Sequence, residues 1–293
     1  AEVASASARV ALARLEGAPV LHVNGVPHAG DPYGFGFRGV PVALAQGVNR
    51  IFVGGARGAF RRSLAAPPTE LFLVEEDATL PTLALGEPQA VVLGLQVVNA
   101  SLAARAELVL EVGENPVFTP EKHVFRPGPV ALGSRRVVLQ LTPRKGGWPP
   151  QAPGTFELPV SVLDGDARST SVFRLEWRAA DALQVVTRVS SLDGSVQKHA
   201  LRLPAGERVE GTSLRLLLSL HGAGVDCEGQ AGSYAAKPDF VIVAPTNRRS
   251  FGFDWQDWGR LDAYEALAQG LVLSGASPAR VGLTGHSMGG HGT

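Results

Sequence analysis

Arg280-Val281-Gly282-Leu283-Thr284-Gly285-His286-Ser287-Met288-Gly289-Gly290 decides the reading of this chain. Its first half, Arg280 to Thr284, reads as a short strand. Its second half is a G-x-S-x-G pattern, Gly285 to Gly289, set where that strand should give way to a helix. The placement has a chemical purpose. A serine on a sharp strand-to-helix turn holds its hydroxyl clear of the sheet, and only small residues fit beside it. Ser287 is therefore the expected nucleophile. The backbone N–H of Met288 then points where the oxyanion of a tetrahedral intermediate would form. The competing reading is a glycine-rich turn that happens to contain serine. The preceding strand favours the nucleophile.

Working outward, Leu214 to Leu220 is almost continuously apolar, and so is Phe240 to Ala244. Such runs are strands buried on both faces. His221-Gly222-Ala223-Gly224 follows the first of them. In this layout the loop after that strand supplies the second oxyanion donor. Ala223 N–H is the expected donor, and Gly222 allows the backbone to come close; an ordinary strand-end glycine turn is the alternative. Before the Val281 strand lies a predicted helix, with apolar Leu261, Tyr264, Ala268 and Leu271 three or four apart. Asp257 is its expected N-cap, and Gly275 and Pro278 end it. Upstream, Val185, Thr187 and Val189 lead to Asp193-Gly194, a two-residue hairpin signal, with His199, Leu201 and Leu203 on the return. Hairpin, strand, strand, helix, strand is the opening of an α/β domain.

Residues 1 to about 180 read differently. Val91, Leu93, Leu95 and Val97 share one strand face, and so do Leu108, Leu110 and Val112. The alternation continues at Val137, Leu139 and Leu141, at Phe156, Leu158, Val160 and Val162, and at Phe173, Leu175 and Trp177. One buried and one wet face per strand is the pattern of antiparallel sandwiches. Turn clusters such as Lys145-Gly146-Gly147-Trp148-Pro149-Pro150 separate the runs. The expected fold is therefore multi-domain, with all-β modules ahead of an α/β domain. A β module occupies 1–78, an immunoglobulin-like sandwich 79–180, and the α/β domain 181–293.

Composition narrows the partners. The 293 residues carry 27 Lys and Arg against 27 Asp and Glu, a net charge of zero, which speaks against a nucleic-acid partner. A single cysteine, Cys227, excludes an internal disulfide framework. No cysteine and histidine cluster points to zinc and no glycine pattern to a nucleotide, so neither a metal nor a cofactor is expected. No apolar run is long enough to span a membrane. The chain starts at Ala1, and Ala1-Glu2-Val3-Ala4-Ser5-Ala6 fits what an export signal leaves behind. The expected location is thus periplasmic or extracellular.

Three stretches together resemble bacterial prolyl-oligopeptidase-type serine hydrolases. They are His221 to Gly224, Phe251-Gly252-Phe253-Asp254-Trp255-Gln256-Asp257-Trp258-Gly259-Arg260-Leu261-Asp262, and Gly285 to Thr293. The likeness is clearest over 210–293, and nearest to large, mostly exported members with β domains ahead of the catalytic one. Val23-Asn24-Gly25 and Gly30-Asp31-Pro32-Tyr33-Gly34 look family-like but carry no chemistry. The resemblance implies an α/β-hydrolase fold, a Ser-His-Asp triad, and peptide or ester bonds as substrates.

In that fold the acid and the base follow the serine. Only six residues follow Ser287, so both are expected beyond Thr293, in a further segment or a second chain. The 181–293 region then reads as the N-terminal half of an α/β-hydrolase domain, inactive alone. None of the seven histidines has the placement of a base. His286 flanks the nucleophile and points away from it. His291 falls on the next helical turn. His221 stabilises its loop, and His22, His28, His123 and His199 belong to β elements. Trp255 and Trp258 are candidates for a substrate rim, although aromatic residues more often pack a core. The expected function is a serine hydrolase working through an acyl-enzyme, with a peptidase preferred and a carboxylesterase or polyester depolymerase second. The alternative of another class is a β-sandwich binding module with an inactive hydrolase remnant.

Overall fold

The computed structural model describes residues 1–293 except 36–38, 57, 87–88, 147–151, 207–212, 250–251 and 253. Most of the Lys145–Pro150 turn, together with Phe251 and Phe253, therefore lies outside the described residues.

The first strands are β1 (Glu2–Ser5), β2 (Arg9–Glu16), β3 (Val20–Val23), β4 (Val26–Ala29), β5 (Val40–Leu44), β6 (Gly47–Gly54) and β7 (Arg61–Ala65). They form two sheets, ordered β1-β6-β3-β4 and β5-β2-β7. Ala11, Ala13 and Leu15 alternate along β2 and close a small core with Leu21, Val42, Leu44 and Ile51. Val23 pairs with Val26, so Asn24-Gly25 is a two-residue hairpin turn with both residues at positive φ. Asn49, fully buried, accepts from Asn24 Nδ2 at 2.8 Å and fixes that turn to β6.

Next come β8 (Leu71–Thr79), β9 (Leu83–Ala84), β10 (Val91–Asn99), β11 (Leu108–Val112), β12 (Lys122–Phe125), β13 (Gly133–Leu141), β14 (Gly154–Asp164) and β15 (Ala167–Arg178). Sheets β13-β10-β8 and β12-β11-β14-β15-β9 face each other. Between them lie the residues whose alternation predicts burial: Leu93, Leu95, Val97, Leu108, Leu110, Leu139, Leu158, Phe173 and Trp177. β8 hydrogen-bonds to β10 and so belongs to this pair of sheets.

The last region holds β16 (Gln184–Val189), β17 (Val196–Arg202), β18 (Arg215–Leu220), α1 (Cys227–Gly232), β19 (Phe240–Pro245), α2 (Asp257–Ser274), β20 (Val281–Gly285) and α3 (Met288–His291). Its sheet is ordered β16-β17-β19-β18-β20. β18, β19 and β20 run parallel; β16 and β17 are antiparallel additions. The apolar runs at 215–220 and 240–245 are the central strands, buried as their composition requires.

Several expectations are corrected here. Residues 181–293 do not form half of an α/β-hydrolase domain. The described chain is a multi-sheet β protein, twenty strands against three α-helices, and only α2 exceeds six residues. The physical reason lies at β16 and β17, where the sandwich covers the sheet in place of a helix. A Cβ on Gly94 of β10 would sit 2.9 Å from Val196 Cβ of β17. Thr187 Oγ1 donates to Val92 O at 2.7 Å, and Thr82 N donates to Val185 O at 3.0 Å.

The Asp193-Gly194 hairpin is also wider than a two-residue turn. Val189 pairs with Val196, so residues 190–195 form the loop, with Gly194 N donating to Ser190 O. Helix α2 turns a different face inward. It buries Gly259, Asp262, Ala263, Ala266 and Gly270, and leaves Leu261, Tyr264 and Ala268 exposed. Small residues win because the helix lies close on the sheet: a Cβ on Gly270 would stand 2.5 Å from Val243 Cγ2. Its N-cap is Gln256, with Asp257 the first helical residue, and Gly275 caps it in the left-handed conformation. No helix is long and apolar enough to cross a membrane among the described residues.

Candidate active site

Ser287 stands between β20 and α3, at the edge of the sheet where parallel strands β18, β19 and β20 end. Its backbone has φ 53° and ψ −116°, a conformation that costs a non-glycine residue about 1–3 kcal/mol. Two glycines hold the turn in that shape. A Cβ on Gly285 would run into the carbonyl of Gly289, and one on Gly289 into the carbonyl of Leu220. The G-x-S-x-G spacing is thus a steric requirement of this turn. The Ser287 side chain is exposed, whereas Gly289 beneath it is buried.

The loop after β18 comes up against the same turn. A Cβ on Gly222 would lie 3.3 Å from Ser287 Cβ and 3.0 Å from His286 Nδ1. Ala223 follows on the exposed side. The N–H groups of Ala223 and Met288 donate to no acceptor among the described residues. Two spare donors therefore lie on the two segments that meet at Ser287. The Met288 side chain packs against the core of the terminal sheet, which anchors its amide.

His221 fixes this loop from below. The ring is fully buried, with Nε2 2.9 Å from Thr246 O and Nδ1 2.9 Å from Gly222 O. Trp255 stands edge-on to it, with centroids 4.9 Å apart, and donates from Nε1 to His221 O at 3.0 Å. A Cβ on Gly292 would meet Trp255 Cβ at 2.5 Å, so the same indole supports the segment after the serine.

The two tryptophans of the expected rim part company. Trp255 is a packed residue at 4% exposure, while Trp258 is open at 42% and lies under the Arg248 guanidinium. The loop from Thr246 to Arg249, whose Asn247 and Arg248 have positive φ, is a part of the surroundings that none of the motifs above marks. The Arg248-Arg249 pair ahead of an aromatic-rich run is the signal that could have marked it.

The histidines fall as follows. His22, His28, His123 and His199 lie in strands β3, β4, β12 and β17. His286 leans over Gly222, and His291 Nε2 lies 3.9 Å from Asp254 Oδ2 in an exposed pair. Among the described residues no group of three histidine, cysteine or acidic side chains is placed to hold a metal.

A buried ion network braces the loop from the far side. Arg188 of β16 pairs with fully buried Asp262 of α2 and faces His199 Nδ1 at 3.2 Å. Burial, and then the Arg188 charge, push the His199 pKa down to about 3. The ring is neutral and its Nδ1 accepts from the guanidinium. Arg248 joins the network through Ser190 Oγ at 2.8 Å and Asp193 at 3.0 Å.

No protein-family profile and no curated protein matches the chain. Among solved structures it is similar to that of a thermostable esterase, at 15% identity and a TM-score of 0.30, over 73% of this chain and 72% of that one. It is also similar to a GH2 β-galacturonidase from Eisenbergiella tayi bound to glycerol, at 13% identity and a TM-score of 0.30, over 75% of this chain and 38% of that one. The chain thus spans well under half the length of the second structure. Likenesses this loose carry no argument about its activity.

Proposed function

We propose that the chain carries the nucleophile and oxyanion site of a serine hydrolase acting on acyl bonds. The observation that carries this reading is the strained, exposed Ser287, held by Gly285 and Gly289 beside two unengaged amides. Ser287 Oγ would attack the carbonyl carbon, and the N–H groups of Met288 and Ala223 would bind the oxyanion. Collapse of the tetrahedral intermediate expels the alcohol or amine, which takes up a proton, and water then hydrolyses the acyl-enzyme.

A base must take the Ser287 proton, and among the described residues no histidine ring is hydrogen-bonded to the Ser287 hydroxyl. We therefore propose that base and acid come from polypeptide outside these 293 residues, a further segment or a second chain. β20 offers a landing place. It is the last strand of its sheet, and Val281 and Leu283 are exposed on it. An open strand edge of this kind is a template for pairing.

Peptide bonds rank first as substrates through the sequence resemblance to prolyl-oligopeptidase-type hydrolases. Carboxylic esters are the second reading. A fluorophosphonate probe applied to the protein with the polypeptide that accompanies it should label Ser287, and Ser287→Ala should abolish the label. A folded, complete assembly that takes no label would overturn the reading.

A further inference from the structure

A second concave site lies at the same end of the terminal sheet, away from Ser287. It encloses about 570 Å³, within the range of ligand pockets, and all three regions of the chain line it. Tyr33 and Phe35 come from the loop after β4, Asp77 and Arg136 from β8 and β13 of the sandwich. Asp193, Arg248 and Trp258 come from the hairpin loop, the loop after β19 and the start of α2.

Two properties of the wall select its occupant. The first is its aromatic content. Tyr33, Phe35 and Trp258 keep 46%, 39% and 42% of their surface open inside one concavity. Tyr33 and Phe35 tilt against each other, with ring centres 5.8 Å apart. Guanidinium groups hold two of them: Arg248 is 5.0 Å from the Trp258 ring centre, and Arg249 is 6.0 Å from that of Tyr33. The second property is charge balance. Asp31, Asp77 and Asp193 stand against Arg136, Arg248 and Arg249 on the same wall. Asp77 pairs with Arg136 at 2.5 Å and Asp193 with Arg248 at 3.0 Å.

A polyanion or polycation gains nothing from a wall of equal and opposite charges. A hydroxyl does, because it donates to carboxylate lone pairs and accepts from guanidinium N–H groups at once. Flat rings that receive apolar C–H faces, flanked by paired planar ions that serve hydroxyls, describe a site for a sugar. We infer that this cleft between the three regions binds a neutral oligosaccharide.

The inference does not rest on Ser287 being a nucleophile, although both sites lie at the same end of the terminal sheet. β19 lies two strands from β20, about 10 Å at the usual strand spacing.

Direct binding tests the inference, with Ser287→Ala as the background so that hydrolysis plays no part. Unbranched xylo-, cello- and manno-oligosaccharides are titrated calorimetrically, beside an acidic and a neutral peptide. At least one sugar should bind saturably, with little dependence on salt. Trp258→Ala and Tyr33→Ala should each weaken it ~10-fold, about 1.4 kcal/mol, with Trp258→Phe in between. Should the alanine variants fail to fold, quenching of tryptophan fluorescence by the sugar, lost in Trp258→Phe, decides the matter. Absence of binding by all three sugars to folded protein would overturn the inference. So would binding of the peptides alone, or affinity unchanged in both alanine variants.

Discussion

Gly285 and Gly289 face each other across the turn that lifts Ser287, and neither position has room for a Cβ. The obstacle at each is a backbone carbonyl, which no rotamer change can move. Gly289→Ala should therefore lower stability by more than an ordinary surface substitution, on the order of 2–4 kcal/mol. Urea unfolding measures the loss. A variant within about 0.5 kcal/mol of the parent would show that the turn is not tight.

Ser287→Gly should act in the opposite direction. The φ of 53° that strains serine suits glycine, so strain is relieved. The higher entropy of glycine in the unfolded chain offsets part of the gain. We expect a net stabilisation of roughly 1 kcal/mol, read as a higher Tm, together with loss of fluorophosphonate labelling. A lower Tm would argue against stored strain at the nucleophile.

These two variants touch the part of the molecule most legible in its sequence. Gly285, Ser287 and Gly289 name the turn because the steric demand falls on residue types directly. The core of the sandwich is legible for a similar reason, since period-two alternation is a statement about faces. The face of α2 is not legible. Its apolar residues Leu261 and Tyr264 point outward while Gly259, Ala263 and Gly270 are buried, because proximity to the sheet selects size over hydrophobicity. The cleft at Tyr33 and Trp258 is illegible for another reason. It joins residues more than two hundred positions apart, and no local pattern records that meeting.

Arg188 and Asp262 illustrate a buried pair whose value depends on both members. Asp262 is fully buried and the Arg188 side chain is 7% exposed. Arg188→Ala strands a carboxylate in the interior and should cost about 3–5 kcal/mol. Exchanging both, as Arg188→Met with Asp262→Leu, should recover most of that loss. A double-mutant cycle by chemical denaturation checks it, and additive losses would count against the pair.

His199 should make stability depend on pH. Its folded pKa, about 3, lies below the value near 6.5 of an unfolded histidine. The native state therefore binds fewer protons between those values. The stability tied to neutral His199 is fully present above pH ~6.5 and falls as the pH drops, by up to about 1.4 kcal/mol per unit. His199→Asn should be less stable at pH 7 yet lose less between pH 7 and 5. Parallel losses in the two proteins would remove His199 as the cause.

Cys227 should be silent in the native protein. Burial pushes its thiol up to about 12, and the side chain has no access to solvent. A disulfide reagent at pH 8 should react with it only as fast as the fold opens. Rapid stoichiometric reaction under native conditions would contradict this.

The contact of Gly94 with Val196, and the bonds from Thr82 and Thr187 across the same seam, have an evolutionary meaning. A gene fragment beginning near residue 180 would carry the serine turn away from the surface on which its hairpin rests. The terminal sheet is therefore not a cassette to be shuffled freely among proteins. A recombinant that keeps it without β10 would leave Val196 and the Thr187 hydroxyl without the surface that covers them.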